Sequence, residues 1–470
     1  MSLSVKKTRN DIPTVILYVF LVIAGLMMLY SVGRPPEGYN WDLPLLLSSF
    51  VGKQFIWLLL SATAWFVINH FIDRNFWIVA SYPIFGFTLL LLLLVLVFGK
   101  EINNARSWFS IFGFTFQPSE LAKMGAALAM AAFLSQWSEK LDRFGTIGSA
   151  LLIILFPAVL IILQPDPGSA LVFGGFLLVM YREGLPPVLL VFGIFSAVMF
   201  LLGILYPTLL LASILAGVLI ILMVANVPKN VRWWVGGAVS FLALLFYAHT
   251  LGWSSPVTGA LVVVYAGVAG YQLVKRKTRL VMLTTAALFW GVLVAFAANF
   301  TFNNVLMTHQ QNRINAWLRP DGMDERGELY NIIQSKLAIA AGGLSGKGLG
   351  QGTITKYDYV PEQETDFIFS AVGEAEGFMG SFAIIVGFLA LLWRISVIAE
   401  RQKRTFVRAY AYGVAGIILV HMLVNIGMTM GLMPVIGIPL PFISKGGSSL
   451  LSFTMMIAIL VKLDRHRADV

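Results

Sequence analysis

The sequence predicts an all-α polytopic membrane protein of about fourteen transmembrane helices, with a long outer loop and a re-entrant Gly/Pro-rich loop. Three observations carry this expectation. Of the 470 residues, 58% are hydrophobic and only 12% charged, against about 25% charged in an ordinary soluble domain. Apolar runs long enough to cross a bilayer, about 20 residues each, recur along the whole chain. The basic residues, finally, alternate between loops in the way the positive-inside rule demands.

The clearest spans are Ile12 to Val32, Phe55 to Ile72, Phe76 to Phe98, Leu280 to Phe300 and Phe367 to Trp393. Shorter or more crowded ones are Leu121 to Trp137, Ile147 to Leu163, Gly168 to Tyr181, Val188 to Tyr206, Leu209 to Val224, Trp234 to Ala248, Val257 to Val274, Ala409 to Ile426 and Leu450 to Val461. The first span follows Lys6, Lys7 and Arg9 with no small-residue cleavage site, so it reads as a retained span and not a signal peptide. With that end inside, alternation places Arg74, Lys140, Arg143, Arg182, Lys229, Arg232, the Lys275 to Arg279 cluster, Arg394 to Arg408 and Lys462 to Arg467 on the inner face. An odd error in the span count would throw the densest basic clusters outside. Both termini are therefore expected to be cytoplasmic, and the chain is read as one integral membrane domain.

The excess of 33 Lys and Arg over 23 Asp and Glu, a net +10, then reflects mainly inner loops and not a nucleic-acid partner. The absence of cysteine excludes disulfides, thiolate metal sites and cysteine nucleophiles. His249, His309 and His421 lack metal-ligand spacing, which argues against histidine zinc chemistry.

Ionisable residues in or beside spans are costly, about 2.5 kcal/mol or more each on insertion scales, so each needs a reason. Here they gather on the expected outer side. Arg106, Gln117, Glu120 and Lys123 bracket the start of the fourth span, and the spacing of Glu120 and Lys123 allows an ion pair on one helical face. Asp166 stands in the short turn Gln164-Pro165-Asp166-Pro167-Gly168, either capping the next helix or presenting a carboxylate to a cavity. The outer segment Thr301 to Asp366 is the most polar stretch, with Arg313, Asp321, Asp324, Glu325, Arg326, Gln334, Lys336, Lys347, Glu362 and Asp366. A mixed-charge loop is commonly just solvated surface. Cations held where charge bias disfavours them instead suggest an anionic ligand, a lipid phosphate or pyrophosphate. The apolar segment Gly427 to Ser449, rich in Gly and Pro, reads as irregular backbone that protein or a water-filled cavity must surround.

These motifs, in order, resemble the SEDS family (shape, elongation, division and sporulation) of RodA and FtsW. The resemblance runs from Asn104 to the C-terminus through Ala105-Arg106-Ser107-Trp108, Gln117-Pro118-Ser119-Glu120-Leu121-Ala122-Lys123, the Gln164 to Gly168 turn, Gln334-Ser335, Gly346-Lys347-Gly348, Pro361-Glu362 with Thr365-Asp366-Phe367, Pro439-Leu440-Pro441-Phe442 and Gly446-Gly447-Ser448-Ser449. The stretch Pro434 to Pro439 is most similar to the RodA branch. The sequence departs from the pattern at Lys445, usually Tyr, at Glu364, commonly His, and at Glu325, usually Pro. Against the usual ten spans, four extra ones fall in about 188–274, between core segments 12–187 and 280–470.

The resemblance implies a peptidoglycan glycosyltransferase that polymerises lipid II at the outer face of the bacterial cytoplasmic membrane, in cell-wall elongation, beside a class B penicillin-binding protein. It places the essential aspartate at Asp324. It implies substrate contacts at Arg106, Trp108, Gln117, Glu120, Lys123, Asp166, Gln334, Lys336, Lys347, Glu362, Asp366, Lys445 and Ser448, with a divalent cation such as Mg2+ or Mn2+ as a conceivable cofactor. The same outer cavity and broken helices would also suit a lipid II flippase, and a non-catalytic scaffold is a third reading.

Overall fold

The computed structural model describes residues 11–33, 49–102, 105–111, 114–136, 141, 143–225, 252, 254–320, 327–357 and 359–467. The chain divides into two compact units, Met1–Pro186 with Arg313–Val470, and Pro187–Asn312. Asp321 and Asp324 and the span expected over 234–248 lie outside the described residues.

The first unit opens with α1 (Ile12–Val32), α2 (Phe50–His70), a short α3 (Arg74–Val79) and α4 (Ser81–Phe98). Three short strands follow, β1 (Lys100–Ile102), β2 (Ala105–Ile111) and β3 (Phe114–Phe116), paired antiparallel in that order. This sheet breaks the all-helical expectation locally. Its strands are too short for a pattern of alternation to stand out in the sequence, yet they place Trp108 and Thr115 beside the start of α5 (Pro118–Gln136). Helix α6 (Phe144–Ile162) comes next, then α7 (Pro167–Val172) and α8 (Phe176–Arg182), joined by a single 3-10 turn. After the second unit the chain returns through α13 (Thr308–Leu318), α14 (Glu328–Ala341) and α15 (Thr353–Lys356) to α16 (Ile368–Glu400), α17 (Thr405–Thr429) and α18 (Gly447–Arg465).

Ten described helices are long and apolar enough to cross a membrane. They differ in what surrounds them. In α17 and α18, 83% of the most apolar window is buried, whereas α2 and α4 bury 22%. The inner helices can therefore carry polar groups, while the outer ones turn Leu59, Phe87 and Phe382 outward, as a lipid-facing surface requires. Helix α5, expected as a span, is buried nearly throughout. Its hydropathy is modest because Ala126, Ala127, Ala129 and Ala131 let neighbouring helices approach closely. Where α17 meets the turn before α8, Gly416 and Gly175 stand backbone to backbone with no room for a Cβ on either.

Helix α16 is broken at Gly377, whose φ of 64° only glycine adopts freely. The carbonyls released there find donors in the glycine-rich turn 342–348: Lys347 N–H bonds Glu374 O at 3.0 Å and Gly348 N–H bonds Ala375 O at 2.9 Å. A Cβ at Gly346 would overlap the Ala375 carbonyl. The Gly346-Lys347-Gly348 motif is thus a backbone splint for a broken helix, and Lys347 Nζ reinforces it with a 2.8 Å ion pair to Glu374.

The second unit comprises α9 (Pro187–Leu205), α10 (Thr208–Ala225), α11 (Ser254–Val274) and α12 (Thr278–Asn304). Its helices are joined by polar contacts inside an apolar environment: Ser213 Oγ to Thr258 Oγ1 at 2.7 Å, Tyr265 OH to Thr284 Oγ1 at 3.1 Å, and Gln272 Nε2 donating to Met223 O at 2.9 Å. Such bonds are worth about 0.6 kcal/mol on average in membrane helices, so several act together. Helix α12 packs with α9 and α10 within this unit.

Candidate active site

At the Gly/Pro segment between α17 and α18 the structure forms a cavity of about 380 Å³. Its walls come from four places: the small sheet (Trp108, Thr115), the turn before α7 (Asp166), the turn 361–366 (Glu362, Thr365, Asp366) and the Gly/Pro segment with the start of α18 (Gly437, Pro439, Lys445, Gly446, Ser448, Ser449). Arg313, on α13, completes it.

Each wall has a local cause. Asp166 caps α7 by accepting the Ser169 N–H at 3.0 Å, and its other oxygen accepts Gln117 Nε2 at 2.8 Å. The two readings of Asp166 therefore hold together, since the cap fixes the carboxylate at the cavity. Gly168 lets this turn lie against the carbonyls of Ile436 and Gly437. Turn 361–366 closes on Glu362 O, which accepts the N–H groups of Thr365, Asp366 and Phe367 at 3.1–3.2 Å. Phe367 sits in an apolar cluster with Ala316, Leu329, Ile332, Val360 and Val435. That cluster fastens α13 and α14 under the site.

Asp366 is the most perturbed acid here. Loss of water around it, with Glu362 and Asp166 as neighbouring carboxylates, outweighs Arg313 and leaves its carboxyl pushed up to about 7. Near neutral pH such a group exists in both forms and can donate a hydrogen bond as well as accept one.

Glu120 and Lys123 lie behind the cavity, not in it. Lys123 is fully buried, 2.7 Å from Glu120 Oε1 and 2.9 Å from His421 Nε2, and His421 Nδ1 reaches Pro439 O at 2.9 Å. One turn along α17, Asn425 Nδ2 donates to Ile438 O at 2.7 Å and to Asp366 O at 2.8 Å. Irregular backbone in an apolar setting must have its carbonyls satisfied. His421 and Asn425 do so for the Gly/Pro segment. Neither was singled out for the site, though two polar residues four apart in an apolar span are a readable signal.

Of the expected contact residues, Trp108, Gln117, Asp166, Glu362, Asp366, Lys445 and Ser448 line the cavity together. Arg106 points to the exterior beside Glu101 at 3.9 Å. Gln334 and the exposed Lys336 lie on α14, and Lys347 is held by Glu374, so these three do not line it. Asp324 lies outside the described residues. Among those described, no three His, Asp or Glu side chains are grouped to hold a metal ion.

The model of the cell cycle protein family of FtsW, RodA and SpoVE matches residues 13–226 and 206–469. The chain belongs to that family. It is similar to the peptidoglycan glycosyltransferase RodA of Treponema pallidum, 31% identical over 461 residues that cover 96% of each chain. It is also similar to the stage V sporulation protein E of Bacillus subtilis, 28% identical over 99% of each. Among solved structures, a peptidoglycan synthase complex that coordinates polymerization and crosslinking contains a chain 25% identical to this one, with a TM-score of 0.63 and coverage of 97% of this chain and 98% of that one. The rod shape determining protein RodA of Thermus thermophilus shares the fold, with a TM-score of 0.53 over 97% of each at 24% identity. This SEDS chain is a multi-pass membrane protein.

Proposed function

We propose that this chain is a peptidoglycan glycosyltransferase that polymerises lipid II during cell-wall elongation, at the outer face of the bacterial cytoplasmic membrane and with both termini inside. The observation that carries the reading is the cavity itself. It gathers three acids and the cations Lys445 and Arg313 at one end of the buried helices, in a family whose relatives bear that enzyme's name. Those names favour the transferase over a lipid II flippase. Association with a crosslinking transpeptidase of the class B penicillin-binding type is supported by the relative found in a synthase complex.

The chemistry needs little. The acceptor sugar 4-hydroxyl attacks the anomeric carbon of the donor, the bond from that carbon to the pyrophosphate oxygen breaks, and the pyrophosphate leaves with the electron pair. The proton passes to a general base, which in this reading is Asp324. Pyrophosphate departs without being protonated, so the carboxyl pair of a glycoside hydrolase is not required. A single displacement inverts the anomeric centre. The test is Asp324→Asn in purified protein supplied with lipid II: polymer formation should be abolished, and undiminished polymer from a folded variant would sink the assignment.

A further inference from the structure

A second cavity, of about 290 Å³, adjoins the first and shares Trp108, Thr115, Thr365, Lys445 and Gly446 with it. Its character is different. Phe50, Trp57, Trp108 and Phe114 wall it, Lys53 and Lys445 charge it, and no described acid lines it. The boundary between the cavities is the first turn of α18. Gly447 has no space for a Cβ because Trp57 lies across it.

That turn is uncapped. Gly446, its N-cap residue, supplies no side chain, and its N–H donates to Gln54 Oε1 at 3.2 Å. The first backbone bond of the helix is Leu450 N–H to Gly446 O at 2.8 Å, which leaves the N–H groups of Gly447, Ser448 and Ser449 without an acceptor among the described residues. A 19-residue helix concentrates positive potential at this end. A second observation is independent of the helix. Ser448 and Ser449 are 2% and 7% exposed, line the first cavity, and neither hydroxyl has a hydrogen-bond partner among the described residues. Buried hydroxyls facing a cavity with nothing to bind are groups arranged for a ligand. Lys445, at the head of the helix, stands 3.2 Å from Glu364 Oε1 and 5.0 Å from the centre of the Phe50 ring, poised between the two cavities.

We propose that the first turn of α18, with Lys445, is the pyrophosphate-binding half of the site, the donor's diphosphate being held by the Gly447 to Ser449 N–H groups, the Ser448 and Ser449 hydroxyls and the Lys445 ammonium. The aromatic cavity behind it then takes the apolar or sugar portion next to the diphosphate. The acid-bearing cavity receives the acceptor. This division rests on the transferase reading and deepens it: the diphosphate is held at the rim the two cavities share, with the rest of the donor on the aromatic side and the acceptor on the acidic side.

The test measures binding apart from catalysis. The full chain in lipid nanodiscs is titrated with farnesyl pyrophosphate and, separately, with inorganic pyrophosphate. Lys445→Gln and the pair Ser448→Ala with Ser449→Ala are each expected to weaken farnesyl pyrophosphate about tenfold, without a change in melting temperature. Lys445→Arg should retain most of the affinity, and Gly86→Ala, which lines neither cavity, should leave it unchanged. If inorganic pyrophosphate loses affinity with the same variants, the diphosphate itself is the recognised group, and tighter binding of the farnesyl compound assigns a lipid source. Binding indifferent to these substitutions in variants that melt normally overturns the half-site. Polymerisation by the same samples separates the two ideas: a chain that polymerises yet binds indifferently refutes only the half-site, and one that binds as expected yet makes no polymer refutes only the enzyme assignment.

Discussion

Lys123 Nζ stands 2.9 Å from His421 Nε2, at the centre of a buried chain that runs from the Glu120 carboxylate on α5 to the Pro439 carbonyl at the cavity wall. Because His421 Nδ1 faces a carbonyl, it must carry the proton, so Nε2 is left to accept from the lysine. A charged pair is thereby coupled to the position of an irregular segment. Its cost is that the chain works only when whole.

Breaking that chain from one side should be severe. Lys123→Ala strands Glu120, 1% exposed, with no cation. The expected loss is about 3–5 kcal/mol, read as a large fall in melting temperature in detergent. Replacing both members, Glu120→Gln with Lys123→Met, should cost less than the single change. A double variant as unstable as the single one would show that the pair contributes net stability.

Asn425→Ala removes the donor shared by Ile438 O and Asp366 O. The buried Ile438 carbonyl left unpaired costs about 1–3 kcal/mol, and the partly buried Asp366 carbonyl less. Polymerisation is expected to slow more than the melting shift explains, because the turn bearing Asp366 is released as well. A rate that tracks stability alone would assign Asn425 to packing only.

The acid at Asp366 makes stability depend on pH. Its carboxyl, pushed up to about 7 from an ordinary value of 3.8, holds a proton more tightly in the folded chain than in the unfolded one. Its contribution is therefore fully present below the unfolded value and is lost as pH rises through about 7. Asp366→Asn should flatten the melting temperature between pH 4 and 7 and raise it relative to the native chain at pH 8. Parallel profiles for the two proteins would contradict the shift.

Gly416→Ala places a methyl group into the Gly175 carbonyl. Backbone cannot give way as a flexible side chain would, so a loss of about 1–3 kcal/mol is expected. Gly86→Ala, with open space around its Cβ position, is the control and should melt as the native chain does.

Much of this protein is legible in one dimension because a bilayer imposes a one-dimensional rule. Length and hydropathy alone locate the ten described helices that are long and apolar enough to cross a membrane, and scarce charge in an apolar chain draws notice to Asp166, Glu362, Asp366 and Lys445, which the fold does bring to one cavity. What sequence could not decide is which polar residues face the ligand and which face one another. Lys123, Lys347 and Lys445 look alike as isolated cations. Only the packing shows that Lys123 is locked to Glu120 and His421, that Lys347 splints a broken helix through Glu374, and that Lys445 reaches the cavity. The physical reason is that a charge in an apolar setting needs a partner, and partners 298 residues apart, such as Lys123 and His421, meet only through tertiary contact. Hydrophobicity is a property of the local chain; pairing is a property of the fold.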